Sequence, residues 1–151
     1  MDDAELASLL AGCASCPYPG IWQDAPFPER TVDGALYAVV ADDSGVSALG
    51  LRRVDDSLWL LPESGEPSLL NSSPEAFVAF TRAYEGAAAE AALYEGPEDD
   101  SDESADLAIQ AADALTDALI ARFSTLDAEA VVNENSFWHI AAEELGYSMD
   151  A

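Results

Sequence analysis

Two cysteines three residues apart, Cys13 and Cys16, are the first residues whose types and spacing suit chemistry. A C-x-x-C pair can close a disulfide at the start of a helix, where the helix dipole lowers the thiolate pKa. Here the pair follows a helix and precedes a proline-rich loop, whereas thioredoxin-like chemistry needs a βαβ setting. Two buried or incidental thiols are the better reading. A zinc site would need partners that the sequence lacks, since there is no second cysteine pair and the single histidine is His139. His139 and Glu143 are spaced i, i+4, which without a third ligand or an H-E-x-x-H arrangement reads as a helix-surface pair. The run from Asp99 to Asp106 lacks the central glycine and terminal glutamate of an EF-hand loop. There is no G-x-S-x-G and no glycine-rich phosphate loop, and without any lysine neither a Walker motif nor a Schiff base is available. No cofactor or metal is expected, and the chain is not expected to be an enzyme.

What the sequence has in excess is acid. Thirty Asp and Glu face five arginines, a formal net charge of −25 over 151 residues. Such a chain repels nucleic-acid phosphates and anionic membranes and steers a basic partner towards it. The same acidity can also serve solubility alone, or reflect a salt-rich or high-GC host. No run approaches the length of about 18 apolar residues that spans a membrane. The N-terminal Met1-Asp2-Asp3-Ala4-Glu5 carries no basic segment of the secretory kind. A cytoplasmic location is the expectation.

The elements that must position these residues follow from periodicity and punctuation. Leu6, Leu9 and Leu10 share one face of a helix that starts at Asp2 with Glu5 and stops at Gly12. Cys13 to Arg30, with prolines at 17, 19, 26 and 28, reads as an irregular loop held to the core by Tyr18, Ile21, Trp22 and Phe27. Ala35–Ala41, Val46–Arg53, Ser57–Leu61 and Ser68–Leu70 are short apolar runs joined by turns at Asp42–Gly45, Asp55-Asp56 and Pro62–Pro67, the pattern of an antiparallel meander.

The period then becomes helical. Ser73 caps a helix that opens on Pro74 and Glu75 and aligns Phe77, Phe80, Thr81 and Tyr84. Gly86 to Asp106 interrupts that pattern, with an exposed acidic linker around 95–104. A long helix is predicted over Ala105–Phe123, carrying Leu107, Ala111, Leu115, Leu119 and Phe123 along one stripe. A short turn or helix begins at Ser124–Asp127. The last helix, Ser136–Leu145, turns Phe137, Ile140, Ala141 and Leu145 inward and ends at Gly146. The fold class is α+β: an antiparallel meander of three to five strands with helices packed around it, one domain over 1–151.

Two signatures carry a resemblance. A strand ending in Leu70-Asn71-Ser72-Ser73 leads into Pro74-Glu75-Ala76-Phe77, and much later Asn135-Ser136-Phe137-Trp138 leads into Glu143-Glu144-Leu145-Gly146 and Met149. In this order, with a helix between them, they resemble the fourth family of the SUKH superfamily of bacterial immunity proteins. The resemblance covers about two thirds of the chain and is poor in the N-terminal third. It implies an α+β fold and a protein that binds and neutralises a cognate polymorphic toxin, often a nuclease or nucleic-acid deaminase. An acidic surface suits the basic groove of such an enzyme. The contacting groups expected on that basis are Asp42, Asp43, Asp55, Asp56, Glu98, Asp99, Asp100, Asp102 and Glu103, displayed on turns and in the linker. The partner is then a toxin with a basic surface, with no nucleic acid or membrane bound directly. A non-toxin regulatory or scaffolding module of the same fold, a structural subunit of a larger assembly, and a small thiol oxidoreductase using Cys13 and Cys16 stand as alternatives.

Overall fold

A computed structural model describes residues 1–13, 16–95 and 101–150. Helix α1 (Asp3–Leu10) leads through the proline loop to β1 (Ile21–Trp22) and β2 (Glu29–Val32). The meander β3 (Ala35–Asp43), β4 (Ser47–Arg52), β5 (Leu58–Pro62) and β6 (Ser68–Asn71) follows. Helices α2 (Pro74–Ala92), α3 (Asp102–Asp127) and α4 (Phe137–Tyr147) complete the order, with 3-10 turns at Ala128–Ala130 and Ser148–Asp150. The sheet is six-stranded and antiparallel in all its pairings, in the order β1-β3-β4-β5-β6, with β2 also paired to β3.

The apolar runs expected to be strands are strands. The loop between Cys13 and Arg30, by contrast, contains the short β1 and the start of β2. Both lie along the same edge of β3: Ile21 and Trp22 oppose Asp42 and Ala41, and Glu29–Val32 oppose Ala38–Ala35. Their residues do not alternate in hydrophobicity, so pairing with a long neighbour decides their conformation rather than local pattern. Of the loop's aromatic residues, Tyr18 and Phe27 are buried and Trp22 is 40% exposed, while the neighbouring Ile21 is 75% exposed.

Strand alternation sends Ala38, Val40, Leu49, Leu51, Leu58 and Leu70 into the main core with the helices. The opposite face carries a smaller cluster of Tyr37, Val39, Ala48 and Leu61, with Trp59 against it. Gly50 sits beneath this cluster, where a Cβ would lie 3.0 Å from Tyr37 Cβ.

Trp138 is the centre of the main core and is fully buried. Its ring meets Phe123 and Phe80 at 5.4 Å and Phe137 edge-on at 5.2 Å, while Phe80 stacks on Phe123 at 4.3 Å. A buried indole needs an acceptor for its N–H. Asn71, at the end of β6 and itself fully buried, supplies it: Trp138 Nε1 donates to Asn71 Oδ1 at 2.8 Å. The Asn71 amide in turn donates to Asp127 Oδ2 (3.3 Å), which also accepts from the Ser72 N–H (2.7 Å). Ser73 Oγ then accepts from the Ala76 N–H and caps α2. The two sequence signatures, 67 residues apart, thus meet at one buried hydrogen bond.

Four helix boundaries differ from those expected, one of them the end of α3, which continues past Phe123 so that Ser124–Asp127 forms its last turn. α2 runs through Gly86 to Ala92, because that glycine is exposed and a single one is tolerated mid-helix. α3 begins at Asp102, because Ser101 accepts from the Ser104 N–H; the expected linker around 95–104 therefore ends inside a helix. α4 continues past Gly146 to Tyr147. It also sits rotated from the expected face: Trp138, Ala141 and Ala142 are buried and Ile140 is 40% exposed. Gly146 is a packing residue here, since a Cβ would overlap Thr116 Oγ1 and lie 3.0 Å from Ala112 O.

Candidate protein-binding surface

Cys13 and Cys16 are free thiols, half-buried against the main core. Burial pushes the Cys13 thiol up, and it pushes Cys16 up to about 11. That is the reverse of a nucleophilic cysteine, whose thiolate is stabilised. On α4, His139 Nδ1 lies 2.8 Å from Glu143 Oε1, the i, i+4 pair expected from their spacing. Among the described residues, no three His, Cys, Asp or Glu side chains converge as metal ligands. Nor, among those residues, is any helix long and apolar enough to cross a membrane.

The acids expected to contact a partner fall in separate places. Asp42 and Asp43 close β3 rather than lying in the turn, because their pairing with Ala48 and Ser47 continues the ladder to Asp43. Asp43 thereby lies across from Ser47, whose hydroxyl is hydrogen-bonded to Tyr18 OH at 2.8 Å. Asp55 and Asp56 lie in the β4–β5 turn, at the other end of the sheet. The six residues of β4 separate the two pairs, on the order of 20 Å at the rise of a strand. One compact patch cannot include both.

Asp55 is engaged within its own turn. Arg52 donates to it through Nε (3.1 Å) and Nη2 (2.5 Å), and Ser57 through N–H (3.1 Å) and Oγ (2.5 Å). Arg52 first, and then Ser57, hold its carboxyl far below the usual carboxylate range. The Ser57 hydroxyl also accepts from Trp59 Nε1 (2.7 Å), and the Arg52 guanidinium lies 4.7 Å from the Trp59 ring centre. Asp56, in the left-handed region at φ 59°, lies 3.3 Å from the N-terminal ammonium. Nearby, Asp3 accepts from Arg53 Nη2 (2.6 Å) and the Phe27 N–H (2.9 Å), which holds its pKa down and ties α1 to this end of the sheet.

Asp102 and Glu103 are exposed in the first turn of α3, where the helix dipole favours acids. Glu98, Asp99 and Asp100 lie outside the described residues. The acid in the second half of the chain is arrayed on the helical layer. Between Arg82 and Arg122 the sequence carries eleven acids and no base. Glu85, Glu90, Asp106, Asp113 and Asp117 in that interval are all exposed on α2 and α3. Periodicity predicts the helices, but the continuity of this face appears only once α2 is seen to run through Gly86.

The chain therefore presents a packed α+β core and a strongly acidic helical layer, and its two motifs build the core rather than a reaction centre. No curated protein and no solved structure is detectably similar to it. The SUKH-4 immunity protein family matches residues 22–144, a span that takes in the first signature whole, the second through Glu144, the sheet from Trp22 of β1 onward and most of α4. The chain belongs to the SUKH-4 immunity protein family.

Proposed function

We propose that this immunity protein binds a cognate toxin that acts on nucleic acid, a nuclease or a nucleobase deaminase, and neutralises it by covering the basic site that receives phosphates. The observation that carries this reading is the net charge of −25 with no lysine, arrayed in part as exposed acids on α2 and α3. An enzyme that handles nucleic acid needs positive charge where its substrate binds. A folded acidic surface competes for that charge and is steered to it at long range. Asp42, Asp43 and Asp56 at the two ends of the sheet and Asp102 and Glu103 on α3 are contact groups in this reading, as are Glu98, Asp99 and Asp100. Asp55 takes part with Arg52 already beside it.

The test begins with recovery of the bound protein from the native host and measurement of its association rate with purified immunity protein. Association should slow steeply as salt rises from about 50 to 500 mM, because screening shortens the reach of the field. Replacing the acids pairwise by amides should slow it further. A recovered partner without nucleic-acid chemistry, or an association rate indifferent to salt, would overturn the proposal.

A further inference from the structure

The antiparallel pair formed by α2 and α3 runs beyond the part of the core that it covers. On α2 the last buried residue is Ala87, yet the helix continues to Ala92; on α3 only Ser104 and Ala112 are buried before Leu119. The seam between these arms is lined by small residues, and it opens as a cleft of about 350 Å³ bounded by Glu90, Leu93, Tyr94, Leu115 and Met149. A second depression around Gly86 and Arg122 shares Glu90, Leu115 and Ala118 with it, so the two are continuous along the seam. From Ala83 to Tyr94 the seam follows about three helical turns, roughly 16 Å. One large apolar side chain of its lining, and one a helical turn beyond that lining on α3, are left uncovered. Leu93 is 81% exposed and Leu107 54%. Leu107 stands one turn before Ala111 on the same face of α3.

We propose that this seam is the docking groove for a basic amphipathic helix of the cognate toxin, its apolar side chains seated between Leu93, Leu107 and Leu115. The inference rests on the reading that the partner is basic, and it adds to the acids named there an apolar contact on one element pair. Charge decides the occupant. Arg122 closes one end of the groove, but between Arg82 and Arg122 the described residues carry eight exposed acids and no base, so a second copy of this chain would bring mostly like charge against like at close range. A helix with apolar residues at i, i+3, i+4 and i+7 and lysine or arginine on its flanks satisfies both the uncovered leucines and the acids around them. The acids set the approach, while the apolar groove sets the dissociation rate.

The probe is a synthetic Leu/Lys peptide of about 16 residues with helical apolar spacing, compared by calorimetry with a scrambled isomer of the same composition. Both carry the same charge, so any preference reads the groove rather than the field. At about 150 mM salt the amphipathic isomer should bind about tenfold more tightly. The double substitution Leu93→Gln/Leu107→Gln should abolish that preference. Glu63→Gln/Glu66→Gln, on exposed acids between β5 and β6, should leave it intact. Both leucines are exposed and glutamine is a good helix former, so far-UV circular dichroism should be unchanged. Equal binding of the isomers, a preference that survives loss of both leucines, or a dimer that dissociates on their removal would each overturn the assignment. Salt-sensitive association with the toxin that ignores Leu93→Gln/Leu107→Gln removes the groove and leaves occlusion standing. Salt-independent association removes occlusion whatever the peptides do.

Discussion

Asn71 shows how one side chain can carry what looks in sequence like a functional motif. Its carbonyl satisfies the Trp138 indole and its amide reaches Asp127, all within a core where an unmade hydrogen bond is costly. Replacing Asn71 by Leu should cost about 2–3 kcal/mol, because the indole N–H and the Asp127 contact lose their partner together. Trp138→Phe should cost about as much, through lost packing and a stranded Asn71. The double variant should fall well short of the sum, since both changes break the same bond. Urea denaturation of the three variants measures the coupling; simple additivity would show that the two signatures do not act as one unit. The cysteines make the opposite point. With burial raising both thiols and Cys16 standing at about 11, a disulfide-exchange reagent at pH 8 should react at least about tenfold more slowly than with free cysteine, and faster as the pH rises. Rapid modification at neutral pH would restore the thiol-enzyme reading.

Between elements, two helical glycines separate local propensity from packing. On α2, a methyl group added at Gly86 would meet nothing within 4 Å, whereas one added at Gly146 of α4 would meet Thr116 and Ala112 of α3. Gly86→Ala should therefore stabilise the protein by about 0.5–1 kcal/mol. Gly146→Ala should destabilise it by about 1–3 kcal/mol through overpacking. Thermal melts of both variants test this, and equal shifts of one sign would contradict the α3–α4 packing. In sequence both residues read as helix punctuation, because a glycine looks the same whether it ends a helix or admits a neighbour. Strand edges behave similarly. β3 to β6 are legible because their apolar runs exceed any alternative use, while β1 and β2 form only because β3 offers them an unpaired edge.

For the whole molecule, thirty acids and five arginines make self-repulsion a term in folding stability. At pH 7 the melting temperature should rise as salt is added and the repulsion is screened. At low salt it should also rise as the pH falls from 7 towards about 5, as carboxylates begin to take up protons. Asp3 and Asp55 work the other way. Their folded pKa values are depressed, so their contribution is present above the ordinary carboxylate value of about 3.9 and is lost as the pH falls through the lowered values. The expected profile peaks between about pH 4 and 6 and drops in stronger acid. A melting temperature that falls steadily from pH 7 to 5 at low salt would show that paired acids outweigh repulsion. Composition and periodicity by themselves determined the charge, the meander and the existence of the three long helices, because each is a property of local residue types and spacing. Which end of the sheet holds which acids, which face of α4 turns inward, and that Asn71 and Trp138 are one contact were decided only by the tertiary structure. These depend on how elements far apart in the chain pack, and packing distances are not written into any single segment.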